Sequence, residues 1–284
     1  MEQMKIIECP RDAMQGIKNY IPADQKTALI NAILKVGFDT VDFGSFVSPK
    51  AIPQMHDTAE VLNQLDLDNT TSKLLAIVAN VRGANDAASF DEISYLGYPF
   101  SVSEEFQKRN TNSTIAESLK YVESIQDIAI RHNKELVVYL SMGFGNPYGE
   151  PYTPEIAIKW SRVLADMGIK TLALSDTIGV SKPDIIHDLF SSLIPELPEV
   201  EFGAHLHTTP DTWHEKVETA WNAGCRRFDG AIKGYGGCPM AKDDLTGNMP
   251  TEKLLTFAQE KRASEAINML AFESAYNQAV QVLG

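Results

Sequence analysis

Glu135-Leu136-Val137-Val138-Tyr139-Leu140-Ser141 is an unbroken apolar run closed at each end by a polar residue. A strand with one wet face alternates apolar and polar side chains. A strand covered on both faces has no reason to alternate, so this stretch predicts a buried parallel strand. Downstream, Thr153-Pro154-Glu155 opens a helical pattern over 153–167. Its proline sits at the first helical position, where a missing N–H costs nothing. The same strand-then-helix alternation extends in both directions. Strands are expected at 5–8, 40–43, 73–79, 93–102, 135–141, 171–175, 201–207 and 227–232. Helical patterns fall at 24–36, where Ala28, Leu29, Ala32, Ile33 and Val36 repeat, and at 59–67, 114–132, 153–167, 183–193 and 212–223. A short third unit lies between Val81 and Asp91, and 264–283 reads as an extra helix beyond the eighth. Eight strands with intervening helices in an α/β chain of 284 residues predict a (β/α)8 TIM barrel, a fold of typically about 250 residues. The expectation is one catalytic domain, 1–284, with an added C-terminal helix. A doubly wound open sheet would want a glycine-rich turn after its first strand. Cys9-Pro10-Arg11-Asp12 follows instead.

Charge and cysteine usage narrow the function classes. Twenty-five basic and 38 acidic residues give a formal net charge of −13. Such a surface repels phosphate backbones and anionic lipid, so neither nucleic acid nor membrane is expected as a partner. The cysteines are Cys9, Cys225 and Cys238. An odd, sparse set points to a reducing, cytoplasmic compartment rather than a disulfide scaffold. No apolar run reaches the roughly 18 residues of a membrane span. The N-terminus enters its first strand almost at once, leaving no length for a targeting segment. The glycosylation-like triplets at Asn69 and Asn112 are read as chance.

A barrel of this kind concentrates chemistry at the C-terminal ends of its strands. His205-Leu206-His207 closes the seventh strand, and residues two apart on a strand share a face, so both imidazoles can reach one centre. Such a pair is also common as structure. Arg11-Asp12 is read as ending the first strand, across the seam of the closed barrel from the histidines. A carboxylate and two imidazoles at one rim make a candidate divalent-metal site, to which Asn248 adds an amide oxygen. This donor set accepts Mg²⁺, Mn²⁺, Co²⁺ or Zn²⁺.

Gly234-Tyr235-Gly236-Gly237-Cys238-Pro239 follows the eighth strand. It reads either as a flexible loop with an incidental thiol or as a hinged lid that brings Cys238 to the chemistry. The second is preferred, because a glycine-rich loop is an uncommon place for a cysteine. Cys9 and Cys225 read as small core residues. The glycines at 143, 145 and 149 lack a following helix start and do not make a dinucleotide site. Asp42 on the second strand, Asp176 after the sixth and Glu252 near the start of the last barrel helix are further rim carboxylates. Each is either a site residue or a helix-cap acid.

In this order, Arg11-Asp12 with Gln15, Ser45-Phe46-Val47-Ser48-Pro49-Lys50, Pro53-Gln54-Met55, Asp176-Thr177-Ile178-Gly179-Val180, His205-Leu206-His207, Gly236-Gly237-Cys238-Pro239, Thr246-Gly247-Asn248 and Thr251-Glu252 resemble the 3-hydroxy-3-methylglutaryl-coenzyme A lyase family. The likeness runs from Lys5 to about Leu255. It implies a divalent metal held by Asp12, His205, His207 and Asn248, with Arg11 as catalytic arginine, Cys238 as loop cysteine, and Asp176 and Glu252 as active-site acids. It also implies cleavage of 3-hydroxy-3-methylglutaryl-CoA to acetoacetate and acetyl-CoA, and a place in leucine degradation. The chain departs from the family pattern twice. Asp42 stands where a glutamate is usual, and Thr208-Thr209 follows the His-x-His pair where an aspartate is usual. Cations expected to meet the coenzyme A phosphates are Lys50, Lys108, Arg109 and Lys233. The C-terminal helix, with Leu270, Phe272 and Val280, suits a homodimer interface. Two rival readings remain. One is a synthase of the wider superfamily that condenses an acyl-CoA with a 2-oxo acid, against which stand the Gly-Gly-Cys-Pro loop and the lack of an added C-terminal region. The other is a CoA-ester-binding barrel without turnover, supported by the two departures.

Overall fold

A computed structural model of the chain describes residues 2–237, 246–264 and 266–284. The apolar run that opens the argument is a strand from Glu135 to Ser141, buried from Leu136 onward. It is the fifth of eight parallel strands: β1 (Lys5–Glu8), β2 (Thr40–Ser45), β3 (Lys73–Ile77), β4 (Ile93–Ser101), β5 (Glu135–Ser141), β6 (Thr171–Asp176), β7 (Glu201–Thr208) and β8 (Arg227–Gly230). Each pairs with its neighbour in sequence, and β8 pairs back onto β1, so the sheet closes into a TIM barrel. A two-residue strand, β9 (Gly247–Asn248), lies antiparallel on the end of β7, with Asn248 opposite His207.

The surrounding helices are α1 (Pro10–Gln15), α2 (Ala23–Leu34), α3 (Thr58–Leu62), α4 (Val81–Ala88), α5 (Glu104–Thr111), α6 (Ile115–Arg131), α7 (Pro154–Asp166), α8 (Pro183–Glu196), α9 (Trp213–Asn222), α10 (Thr251–Glu260) and α11 (Met269–Leu283). Local chemistry sets their ends. Thr114 and Glu117 form a reciprocal capping box at the start of α6. Ser103 caps α5, and Asn112 in the left-handed region stops it. Pro154 starts α7 as expected, but Thr153 gives no side-chain cap bond. The sequence pattern does not announce α1 and α5, of six and eight residues, because neither is long enough to repeat an apolar stripe. It also overextends the third helix, expected to 67. The chain leaves the helix after Leu62, and Leu65 and Leu67 pack partly buried without it. Among the described residues no helix is long and apolar enough to cross a membrane.

Two layers of packing result. Alternate strand residues face outward into a continuous core beneath the helices. The inward residues fill the barrel: Leu75, Ile77, Tyr95, Val137, Tyr139 and Ala173 make an apolar cluster on the β3–β6 side. The opposite side is polar. Tyr139, Ala173, Gly203, Arg227 and Lys5 are lateral neighbours in one layer of strand register. Gly203 leaves room for the buried Arg227, since a Cβ there would stand 3.0 Å from the arginine Cδ. Above that layer come Asp229 and His205, and above them His207. α11 packs on α2, with Phe272 edge-on to Phe38 at 6.3 Å between centroids. Phe272 is thus a core residue and not free for a subunit interface. Val280 is half-buried, and of the three residues expected there only Leu270 stands exposed, at 78%.

Candidate active site

Arg11 and Asp12 lie on α1, just past the strand end where they were expected. Pro10 at the head of α1 turns the chain across the barrel mouth immediately after β1. The Arg11 guanidinium donates from Nε to both Asp42 oxygens (3.2 and 3.0 Å), from Nη2 to Asp42 Oδ2 (2.5 Å) and from Nη1 to Asp12 Oδ1 (2.8 Å). Gln15 Nε2 also donates to Asp12 Oδ1 at 2.9 Å, and Asn248 Nδ2 donates to Asp12 Oδ2 at 2.7 Å. Burial opposes charge on all these groups, yet Asp42 and Asp12 outweigh it and raise the Arg11 pKa further. Burial likewise resists ionisation of Asp12, but Arg11 and the two imidazoles hold its pKa down at about 2. For the fully buried Asp42, burial wins over Arg11 and lifts the pKa to about 6. It is still the arginine's counter-ion at neutral pH.

His205 and His207 share the inward face of β7 as their spacing demands, with ring centroids 5.5 Å apart. One ligand atom each from Asp12, His205 and His207 lie within 4.8 Å of one another. Nδ1 of His207 is buried and has no hydrogen-bond partner among the described residues. Burial, then the neighbouring His205, push the His207 pKa down to about 4. At neutral pH the ring is uncharged and offers an unused lone pair. An anionic carboxylate beside an uncharged imidazole, with a second imidazole on the same face, fits a divalent cation.

Asp176, Glu252, Lys50, Lys108 and Arg109 are not part of this cluster. Asp176 ends β6 fully buried, accepting the Ser181 N–H at 3.1 Å and the Lys216 ammonium at 2.7 Å. Lys216 also donates to the His207 carbonyl at 2.8 Å, which ties Asp176 to the ligand strand. Glu252 sits in the first turn of α10 and accepts the Lys233 N–H at 3.0 Å. Lys50 is exposed after β2. Lys108 and Arg109 are exposed on α5, where they face Glu104 (3.7 Å) and Glu105 (2.6 Å), and Arg109 lies over the Tyr148 ring. Cys9 and Cys225 are buried, as small core residues would be. Cys238 lies outside the described residues.

Some neighbours of the cluster escape sequence reasoning. Asp229 Oδ2 is 3.0 Å from Nδ1 of His205. Arg227 and Tyr139 lie deeper on the same inward face, and Lys216 is the buried cation just described. A signal did exist for three of them. Arg227 and Asp229 alternate with apolar Phe228 in a strand that should be covered on both sides. Lys216 occupies the buried stripe of α9 with Val217, Ala220 and Trp221.

Comparison with known proteins accounts for the arrangement. The HMGL-like family matches residues 3–278. The chain belongs to this family. It is 32% identical over 286 residues to the mitochondrial hydroxymethylglutaryl-CoA lyase of Macaca fascicularis, covering 99% of this chain and 86% of that one. The solved HMG-CoA lyase of Bacillus subtilis superposes with a TM-score of 0.92 at 29% identity, covering 100% of this chain and 95% of the other. An HMG-CoA lyase from A. baumannii, solved in complex with coenzyme A and 3-methylmalate, gives 0.90 at 27% identity over 99% and 92% of the two chains. Asp42, expected to depart from the family pattern, holds Arg11 through Nε and Nη2.

Proposed function

We propose that this chain is a divalent-metal-dependent carbon–carbon lyase that cleaves 3-hydroxy-3-methylglutaryl-CoA to acetoacetate and acetyl-CoA. The observation that carries this reading is the convergence of Asp12, His205 and His207, with Arg11 alongside, at the C-terminal rim of the barrel. Asp12, His205, His207 and Asn248 would hold the cation. Mg²⁺ or Mn²⁺ is the favoured ion, with Co²⁺ and Zn²⁺ compatible with the same donors. A bound cation supplies Lewis acidity toward the substrate oxygens. Cleavage passes the proton of the tertiary hydroxyl to a basic group at the barrel rim and leaves the electron pair of the broken carbon–carbon bond on the departing acetyl-CoA fragment as an enolate. Arg11 meets that charge. Its contacts with Asp42 and Asp12 use Nε and one hydrogen on each terminal nitrogen, which leaves one further N–H on each for substrate. Asp42 and Asp176 are too deeply buried to touch substrate directly, so they act by orienting Arg11 and Lys216. Glu252 braces the Lys233 backbone in the loop that leads to Cys238. Cys238 is assigned the proton given to the enolate carbon, on the strength of its place in the Gly-Gly-Cys-Pro sequence. Lys50, Lys108 and Arg109 are assigned to the coenzyme A phosphates, as exposed cations on segments that follow β2 and β4. Cytoplasmic leucine breakdown is the setting, and a homodimer the assembly.

The test is direct. Purified protein with Mg²⁺ or Mn²⁺ should release acetoacetate from 3-hydroxy-3-methylglutaryl-CoA, and His207→Ala should lose both this activity and bound metal. Protein that binds Mn²⁺ and the CoA ester yet releases no acetoacetate would be a binding barrel instead. Net condensation of an acyl-CoA with a 2-oxo acid would make it a synthase.

A further inference from the structure

We propose that Asp229 on β8 is a positioning residue of the metal centre, which orients the ring of His205 and selects the tautomer that leaves the opposite nitrogen open to a cation. The inference rests on the metal reading above and adds a residue to it. The Nδ1 of His205 lies 3.0 Å from Asp229 Oδ2, and the two side chains are only 14% and 1% exposed. An ionised carboxylate has no proton to give, so it accepts Nδ1–H and fixes the lone pair on Nε2. The Tyr139 ring packs edge-on against the His205 ring, 5.6 Å away at 85°. The carboxylate is itself supported. Arg227, almost fully buried two residues earlier on the same strand, attracts it through charge, although Oδ1 of Asp229 and Nε and Nη2 of Arg227 make no hydrogen bond among the described residues. A cation at the rim would thus be backed by the His205 ring, then by the Asp229 carboxylate, with the Arg227 charge beside it.

The same residues admit a rival. Cys9, His205 and Asp229 offer ligand atoms within 4.8 Å of one another, which would suit a second, deeper metal. Two observations oppose it. Nδ1 of His205 is already engaged by Asp229. The Cys9 thiol is likewise engaged, donating to the Ile7 carbonyl at 3.7 Å.

The experiment measures Mn²⁺ affinity in the full chain by titration calorimetry, with circular dichroism as the fold control. Asp229→Asn keeps shape but loses charge, and its amide N–H₂ can turn toward Nδ1 and reverse the tautomer. It should weaken Mn²⁺ binding about 10- to 100-fold, the usual effect of removing such a partner, and Asp229→Glu should recover part of the loss. Nitrogen-15 spectra of histidine-labelled wild-type protein should show His205 protonated at Nδ1, with the tautomers mixed in Asp229→Asn. A merely structural aspartate would leave that signature unmoved. Equal Mn²⁺ affinity in folded wild-type and Asp229→Asn protein overturns the positioning role and spares the metal centre. Wild-type protein that binds no Mn²⁺ overturns both. A second equivalent of bound metal, lost in Cys9→Ser, overturns the role in favour of the deeper site.

Discussion

Arg11 shows how one side chain couples catalysis to stability. It is the buried counter-ion of Asp42, so removing it strands a carboxylate in the barrel, a loss that costs about 3–5 kcal/mol for a buried pair. Arg11→Met therefore confounds activity with folding. Arg11→Lys is the cleaner probe, because it keeps the charge and gives up the forked geometry. It should fold and bind Mn²⁺ while kcat falls on the order of 10²–10³-fold, as for loss of a fixed donor at a developing charge. Near-wild-type kcat in Arg11→Lys would reduce Arg11 to a structural ion-pair partner. Glu8 makes a separate point at the same scale. It is fully buried, accepting the Ile232 N–H at 3.0 Å and bonded to the Thr251 hydroxyl. Burial lifts its pKa from 4.5 to about 8. The folded chain thus holds a proton that the unfolded chain has released above pH 4.5. That contribution to stability is complete below the unfolded value and is lost as pH rises through the folded one, at about 1.4 kcal/mol per pH unit. From about pH 5 to about pH 8 the total is on the order of 4 kcal/mol. Glu8→Gln mimics the neutral acid and should flatten this part of the urea-denaturation profile, matching or exceeding wild type at the alkaline end. Parallel profiles for the two proteins would show that Glu8 ionises normally in the fold.

Among the elements, the loop between β8 and β9 carries the tightest fit to the site. Gly236 has φ of +84°, and a Cβ there would stand 2.6 Å from the Asp12 carbonyl oxygen and 2.9 Å from Asn248 Nδ2. Gly236→Ala must displace one or both of the groups that frame the candidate metal site. It should cut metal affinity and acetoacetate release at least about tenfold, beyond the roughly 1–2 kcal/mol of left-handed backbone strain. Gly149 is the matched control: its φ is +75°, but nothing lies within 4 Å of its added Cβ. Gly149→Ala should bear the backbone strain alone and keep its activity, and equal losses in the two variants would show that only backbone strain mattered. The elements also separate what the sequence could and could not tell. Strands such as β5 were legible, since an unbroken apolar run has few other meanings, and helices such as α7 were legible from their periodicity and proline start. α1 and α5 were not, because one or two turns carry no periodicity. This matters most for α1, which places Arg11 and Asp12 beyond the strand instead of on it.

For the whole molecule, the site was legible where a motif sits within one segment, as in His205-Leu206-His207. It was not where the function arises from closure. Asp229 and Lys216 reach His205 and the His207 backbone only because neighbouring elements stand side by side in the finished barrel. The same closure leads to a thermodynamic expectation. Asp12 follows β1 near the start of the chain, whereas His205 and His207 lie on β7, one strand beyond the β1–β8 seam. A cation shared by these residues bridges the two ends of the fold, and no such bridge survives in the unfolded chain, where the ligands are almost 200 residues apart in a formally −13 polyanion. Binding to the native state alone stabilises it by about 2.7 kcal/mol at a hundredfold excess of ligand over Kd. For a chain of 284 residues that corresponds to a rise in Tm of about 4–5 °C. The rise should appear with Mn²⁺, vanish on adding EDTA, and be absent in His207→Ala. Nonspecific neutralisation of the acidic surface would behave differently, because Ca²⁺ or high monovalent salt would reproduce it and His207→Ala would retain it. A Tm that Mn²⁺ leaves unchanged in wild type would mean that the three residues converge without holding a metal across the seam.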